Sequence, residues 1–159
     1  MNKPAFAVVQ RHPIQGSLLQ LSELEYYGLL ADERGIELEL SGSGSVQGDA
    51  LMLHRAIFNL LSNALRYTPQ GKTIRVQLSQ NDSTTVLTVE NPGETIPPEH
   101  LDKLFDRFYR VHSARRQGSP SNAGLGLAII RSIIEAHQGR VWCTSANGRI
   151  AFHLEFPVL

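Results

Sequence analysis

The sequence predicts an α+β fold. It reads as a two-layer α/β sandwich, with about three helices on one face of a mixed, mainly antiparallel sheet of about five strands. Three stretches place apolar residues at helical spacing, and IELEL at 36–40 alternates with period two. Two pairs of β-rich runs, TIRVQLS with TTVLTVEN and RVWCTSA with RIAFHLEFP, are joined by short polar turns, the signature of hairpins.

The elements follow in order. Residues 1–16 carry two prolines and little periodicity, and form a lead-in with a short strand at AFAVVQ. A helical pattern runs from Leu18 to about Glu33 and ends at Gly35. SGSGS after IELEL reads as a loop, and Asp49 is placed to cap the next helix, from about Ala50 to Tyr67. Thr68-Pro69 stops that helix. Residues 97–123 hold one short amphipathic piece, HLDKLFDRFYRV, and then HSARRQGSPSNA, whose composition predicts mobility. A helix from Gly124 to His137 ends at Gly139, and Asn147-Gly148 turns the last hairpin.

The totals exclude several classes. With 159 residues, 42% apolar and 19% charged, the chain suits one globular domain. Fifteen basic residues balance fifteen acidic ones, which argues against nucleic-acid or membrane-surface binding. The single cysteine, Cys143, excludes an internal disulfide and reads as a buried structural thiol rather than a nucleophile. No apolar run approaches the roughly 20 residues that span a bilayer, and no signal peptide opens the chain, so a cytoplasmic location is expected.

LHRAIFNLLSNALRYTP is the most informative stretch. At roughly 100° per residue, Leu53, Ile57, Leu60, Leu61 and Ala64 share one side of the helix. Asn59 and Asn63, at i and i+4, stack on another side with Arg55 and Arg66. One reading is a solvated polar face. Asparagine costs about 0.6 kcal/mol relative to alanine in a helix interior, where Glu or Lys would be the default. The other reading is a pair of amides held toward a ligand, with oxygens for a hard cation and NH₂ groups for phosphate.

A second element is NAGLGLAIIRSIIEAHQG. Gly124 and Gly126 open an apolar helix, where bare N–H groups and the positive end of the dipole suit an anion. Glycines there also serve plain turns and close packing. Ile129, Ile130, Ile133 and Ile134 read as core, and Arg131 with Glu135 as an exposed pair. The strand TTVLTVEN, ending at VENPGETI, breaks on Pro92-Gly93 after a polar pair.

In this order NLLSNALRYTP, VENPGETI, LFDRFYRV and GLGLAIIRSIIEAHQG resemble the N, G1, F and G2 boxes of the histidine-kinase catalytic and ATP-binding domain. That domain shares the GHKL ATP-binding fold with gyrase, a heat-shock chaperone and a mismatch-repair protein. The wording ENPGETIP and LFDRFYRV resembles the heavy-metal (copper or silver) sensor branch. The resemblance implies a catalytic domain over residues 17–159, with an ATP lid at about 97–123.

It also implies roles. Asn59 would hold Mg²⁺ and Asn63 would sit by the phosphates of ATP. Arg66 would contact phosphate and Tyr67 would pack on adenine. Asn91 and Gly93 correspond to the G1 aspartate and glycine, Gly124 and Gly126 to the G2 glycines, with the Leu125 backbone between them. Ile96 and Leu127 would also line the nucleotide. Phe105 and Phe108 would anchor the lid, and Arg107 or Arg110 would reach the γ-phosphate, unless both arginines simply solvate the lid.

Three departures carry consequences. Hydrolases of the superfamily place a glutamate four residues before the first asparagine. Arg55 stands there and cannot accept a proton, which favours transfer to an external acceptor over hydrolysis. Thr95 replaces the second G1 glycine and stiffens that loop. Asn91 offers an amide that can flip to meet guanine, which predicts weaker base discrimination than aspartate gives.

None of the six histidines (His12, His54, His100, His112, His137 and His153) precedes an acidic residue as a phosphoacceptor would, and their spacing is not that of a zinc site. The chain is therefore expected to be the catalytic fragment of a longer sensor anchored in the inner membrane. It would be a monomer that binds ATP·Mg²⁺ and turns over little by itself. Its partners would be a separate dimerisation and phosphoacceptor domain and, indirectly, a response regulator, with no nucleic acid and no membrane contact. The alternatives are an ATP-hydrolysing domain and an interaction module without nucleotide.

Overall fold

A computed structural model describes residues 5–9, 21–109 and 123–158. In chain order the elements are β1 (Ala5–Val9), α1 (Leu21–Glu33), β2 (Glu37–Gln47), α2 (Ala50–Tyr67), β3 (Thr73–Gln80), β4 (Thr84–Pro92), the single turn α3 (Pro98–Leu101), α4 (Ala123–Ala136), β5 (Arg140–Ala146) and β6 (Arg149–Pro157). The strands form one sheet in the order β1-β2-β3-β4-β6-β5. The β1–β2 and β2–β3 pairs are parallel and the other three antiparallel, so the sheet is mixed and mainly antiparallel, as expected. The sixth strand is the short one anticipated in the lead-in.

Local chemistry explains most boundaries. Gly35, at φ 71°, closes α1 with a Schellman pair: Ile36 N–H donates to Ala31 O (2.8 Å) and Gly35 N–H to Asp32 O (3.0 Å). The β3–β4 turn is held by Asn81, whose Oδ1 accepts from the N–H groups of Ser83 (2.7 Å) and Thr84 (2.8 Å). Asn147 and Gly148, at φ 55° and 76°, give the β5–β6 hairpin a turn that matches strand twist.

One expectation fails. SGSGS is not a loop but the middle of β2. Up to Gly42 the strand pairs with β3, and from Ser43 to Gln47 it pairs with β1. Gly42 makes the change at φ 88°, where a Cβ would stand 1.8 Å from Leu78 O. Side chains replace the β3 ladder beyond this point: Gln80 Oε1 accepts from Ser45 N–H (2.8 Å) and Thr85 Oγ1 donates to Ser45 O (3.0 Å). Serine and glycine have low strand propensity, and pairing on both sides overrides it.

Alternation along the strands sorts the two faces. Ile74, Val76, Leu78, Leu87, Val89, Phe152, Leu154 and Phe156 point inward to meet Leu53, Ile57, Leu60 and Leu61 of α2 and Ile130, Ile133 and Ile134 of α4. Cys143 joins that layer, and burial pushes its thiol up to about 12, so it is no nucleophile at neutral pH. The outer face is polar. Arg75 lies 3.5 Å from both Glu39 and Glu90, and Arg149 Nε is 2.7 Å from Glu90. His153 bridges Thr88 (3.1 Å) and Thr144 (2.9 Å) and stacks on Trp142 at 5.0 Å. A concavity of about 440 Å³ on this face lies between Glu39, Arg75, Gln77, Thr88 and Glu90, and no expected site residue lines it.

Replacing Gly42 by alanine should destabilise the chain by about 1–3 kcal/mol, read as a lower urea midpoint at unchanged slope. Burial lowers the pKa of His153 below its ordinary 6.5, against the opposing pull of Glu90. The unfolded chain therefore binds this proton more readily, so stability is full above pH 6.5 and falls as pH drops below it. A His153→Gln variant should show a flatter urea midpoint against pH between about 6.5 and 5.

Candidate functional site

Asp49 starts α2 as anticipated: its Oδ1 accepts from Met52 N–H at 3.0 Å, a cap worth about 1 kcal/mol. The helix buries Leu53, Ala56, Ile57, Leu60, Leu61, Ala64 and Leu65. Asn59 and Asn63 lie half-buried at the margin of that stripe, and no described residue hydrogen-bonds to either amide. A solvated face would leave them exposed and a core role would give them partners. Arg66 is exposed in the last turn and Tyr67 is 45% exposed. Thr68 ends the helix in an extended conformation before Pro69, its Oγ1 donating to Ala64 O at 2.6 Å.

β4 packs against α2 and ends at the second group of residues. Asn91 is 3% exposed, and its Nδ2 donates to Pro92 O at 2.9 Å. That bond fixes the amide and leaves Oδ1 as the acceptor. A flip would set two oxygens against each other, so the flip expected from the sequence is opposed. Gly93 also reads differently. Its N–H donates to Gly148 O (2.9 Å), and a Cβ would meet Ile150 Cδ1 at 2.5 Å, so a side chain there would have to displace the end of Ile150. Pro92 is the last residue of β4, opposite Arg149, so the strand ends at Pro92-Gly93 as expected.

From Gly93 the chain runs to the segment that begins at residue 97. Ile96 is half-buried against the core and its N–H donates to Ser145 Oγ at 2.8 Å. The two phenylalanines differ. Phe105 is 3% exposed, edge-on to Phe152 at 6.1 Å, and anchors the segment. Phe108 is 63% exposed at φ 64°, and Arg107 lies over its ring at 5.9 Å. His100 Nδ1 and the Tyr109 hydroxyl hydrogen-bond across this turn. Arg110 and HSARRQGSPSN, within residues 110–122, lie outside the described residues.

α4 packs along α2 and begins at Ala123, so Gly124 and Leu125 sit in its first turn, where backbone N–H groups lack intrahelical partners. Gly126 and Leu127 follow, both half-buried. A Cβ on Gly126 would meet nothing within 4 Å among the described residues. Neither packing by the described residues nor backbone conformation requires glycine there, although helix propensity penalises it by about 1 kcal/mol. Arg131 does not pair along its helix with Glu135. Its Nη1 reaches Asp106 Oδ1 at 3.3 Å and ties α4 to the Phe105 turn, a half-exposed pair worth under about 1 kcal/mol. No spacing rule connects residues 25 apart, so only the fold reveals it.

The donor set fits one hard cation held jointly with a ligand. Asn59 supplies a neutral oxygen, and no cluster of three His, Cys, Asp or Glu among the described residues could hold a metal unaided. No described helix is long and apolar enough to cross a membrane.

Comparison with known proteins bears on this arrangement. The family described as "Histidine kinase-, DNA gyrase B-, and HSP90-like ATPase" matches residues 48–159. The sensor histidine kinase CusS of Escherichia coli (strain K12) is 49% identical over 134 residues, 84% of this chain and 28% of that protein. The probable sensor kinase SilS of Salmonella typhimurium is 53% identical over 114 residues, 72% of this chain and 23% of that protein. The chain thus spans about a quarter of the length of these relatives. Among solved structures, the nucleotide-free catalytic domain of histidine kinase ThkA superposes with a TM-score of 0.72 at 27% identity, covering 87% of this chain and 93% of that one. The mycobacterial sensor histidine kinase MprB gives 0.68 at 28%, covering 86% and 91%.

Gly126→Ala should raise stability by about 0.5–1 kcal/mol, measured as a higher urea midpoint. A fall instead would mean that packing requires this glycine.

Proposed function

The chain belongs to the histidine kinase-, DNA gyrase B-, and HSP90-like ATPase family, and from that premise we propose that it binds ATP with Mg²⁺ and transfers the γ-phosphoryl group to a histidine on a separate dimerisation and phosphoacceptor domain. Its relatives are named as sensor kinases, which supports passage of the phosphoryl group on to a response regulator, and the resemblance of ENPGETIP and LFDRFYRV to the heavy-metal branch supports a metal-responsive parent. The observation that carries the reading is Gly126, a costly glycine whose missing side chain spares no atom of the described residues. A bound phosphate chain gives it a reason.

In this reading each group has one task. Asn91 Oδ1 accepts from the adenine amino group, and Tyr67 and Ile96 cover the base. Asn63, Arg66 and the first-turn N–H groups of Gly124 and Leu125 hold the phosphates, with Gly126 giving them room and Leu127 lining the nucleotide. Asn59 would hold Mg²⁺, which would supply positive charge to the phosphates. Arg107 or Arg110 supplies further positive charge at the γ-phosphate. Transfer breaks the bond between the γ-phosphorus and the bridging oxygen, leaving ADP, and forms a P–N bond to the acceptor imidazole. Arg55 is exposed beside Asn59 and is no base for water, which favours transfer over hydrolysis.

Titration of the chain with a fluorescent ATP analogue, with and without Mg²⁺, tests binding. Saturation below high micromolar concentration is expected with Mg²⁺, and no binding there sinks the reading. Gly126→Ala should bind at least about tenfold more weakly, since its methyl group enters the phosphate space. Labelled ATP with a separate phosphoacceptor hairpin should place label on histidine. Because Asn91 is fixed as an acceptor, GTP would set its O6 against Oδ1, at about 1–3 kcal/mol. ATP should therefore compete against the analogue about tenfold or more better than GTP. Equal competition would show that the amide turns.

A further inference from the structure

His137 stands where α4 ends, buried, and is none of the residues given a nucleotide role above. Its Nδ1 faces Ile133 O at 2.8 Å, an acceptor, so Nδ1 carries the ring proton and Nε2 is free to accept. Nε2 receives the N–H of Asp49 at 3.0 Å. Asp49 is the cap of α2, so one imidazole joins the end of one helix to the start of another. Gly48 makes room for it: a Cβ there would stand 2.3 Å from Cδ2 and 2.6 Å from Nε2 of the ring.

The two helices pack along each other from this joint, and so run antiparallel. Asn63 lies 14 residues beyond Asp49, and Gly124 lies 13 residues before His137. At about 1.5 Å per residue both are roughly 20 Å from the joint. A contact at one end of the pair therefore sets which residues stand level at the other. We propose that His137 is a positioning residue for the nucleotide phosphates, fixing the axial register of α2 against α4 and with it the gap between Asn63 and the Gly124–Gly126 turn. The proposal rests on the reading that phosphates occupy that gap. The adenine side of the site, on β4, does not depend on it.

The test compares the natural chain with His137→Phe, which keeps a ring without an acceptor, and His137→Gln, whose amide oxygen can still accept from Asp49. Each is titrated with Mg·ATP and, separately, with adenosine. His137→Phe should lose about tenfold or more in ATP affinity and less than about twofold for adenosine, with recovery in His137→Gln. Equal losses for the two ligands, or none, overturn the proposal. If His137→Phe does not fold, Gly48→Ala displaces the ring instead, and the same split is required of it.

Register is also read without nucleotide, from the distance between spin labels on Arg55→Cys and Ser132→Cys, with Cys143 buried and inert. A changed distance in His137→Phe, restored in His137→Gln, is expected, and an unchanged one overturns the proposal. Failure of the natural chain to bind ATP would instead refute the function proposed above while leaving this measurement decisive for the register.

Discussion

Burial of the Leu53–Leu65 stripe of α2 against the inner face of the sheet is the constraint on which the other parts depend. Each fully buried leucine contributes about 1.5–3 kcal/mol, so the rotation of α2 about its axis is strongly fixed. Once it is fixed, the amides of Asn59 and Asn63 come to the margin of the core and have no freedom to turn elsewhere. β4 and α4 both pack on this helix, which brings the buried Asn91 and the glycine-opened turn to its flanks. The fold makes a polar site by packing an apolar one.

Much of this was legible in the sequence where a boundary has a local cause. Asp49 caps, Thr68-Pro69 stops and Asn147-Gly148 turns because each acts through its own backbone or that of a near neighbour. The side of α2 that meets the sheet could be counted off at 100° per residue. SGSGS failed because its strand character comes from β1, Gln80 and Thr85, which are remote in sequence. Arg131 failed for the same reason, its partner being set by tertiary packing rather than by helix spacing.

The glycines show how finely a motif must be read. Gly35 serves a left-handed turn, Gly93 yields to Ile150, Gly48 to an imidazole, and Gly139 to Glu155 O, 2.1 Å from where its Cβ would be. Only Gly126 among the site glycines whose surroundings are described has open space around it. A sequence cannot separate these uses, because all of them appear as the same letter. Phe105 and Phe108 divide likewise: three residues apart in one motif, one is core and the other faces solvent.

The outer face of the sheet carries the chain's one tryptophan, Trp142, stacked on His153 within 13° of parallel, with Arg140 over the ring at 4.6 Å. All three lie across the sheet from the helices. Intrinsic emission is thus a built-in reporter of that face. It will register protonation of His153, since an imidazolium quenches indole more strongly than imidazole does, and it will register loss of the sheet. An optical signal from this residue on adding a nucleotide would therefore have travelled through the sheet rather than arisen by contact, which makes the indole a ready-made detector of whether the two faces communicate.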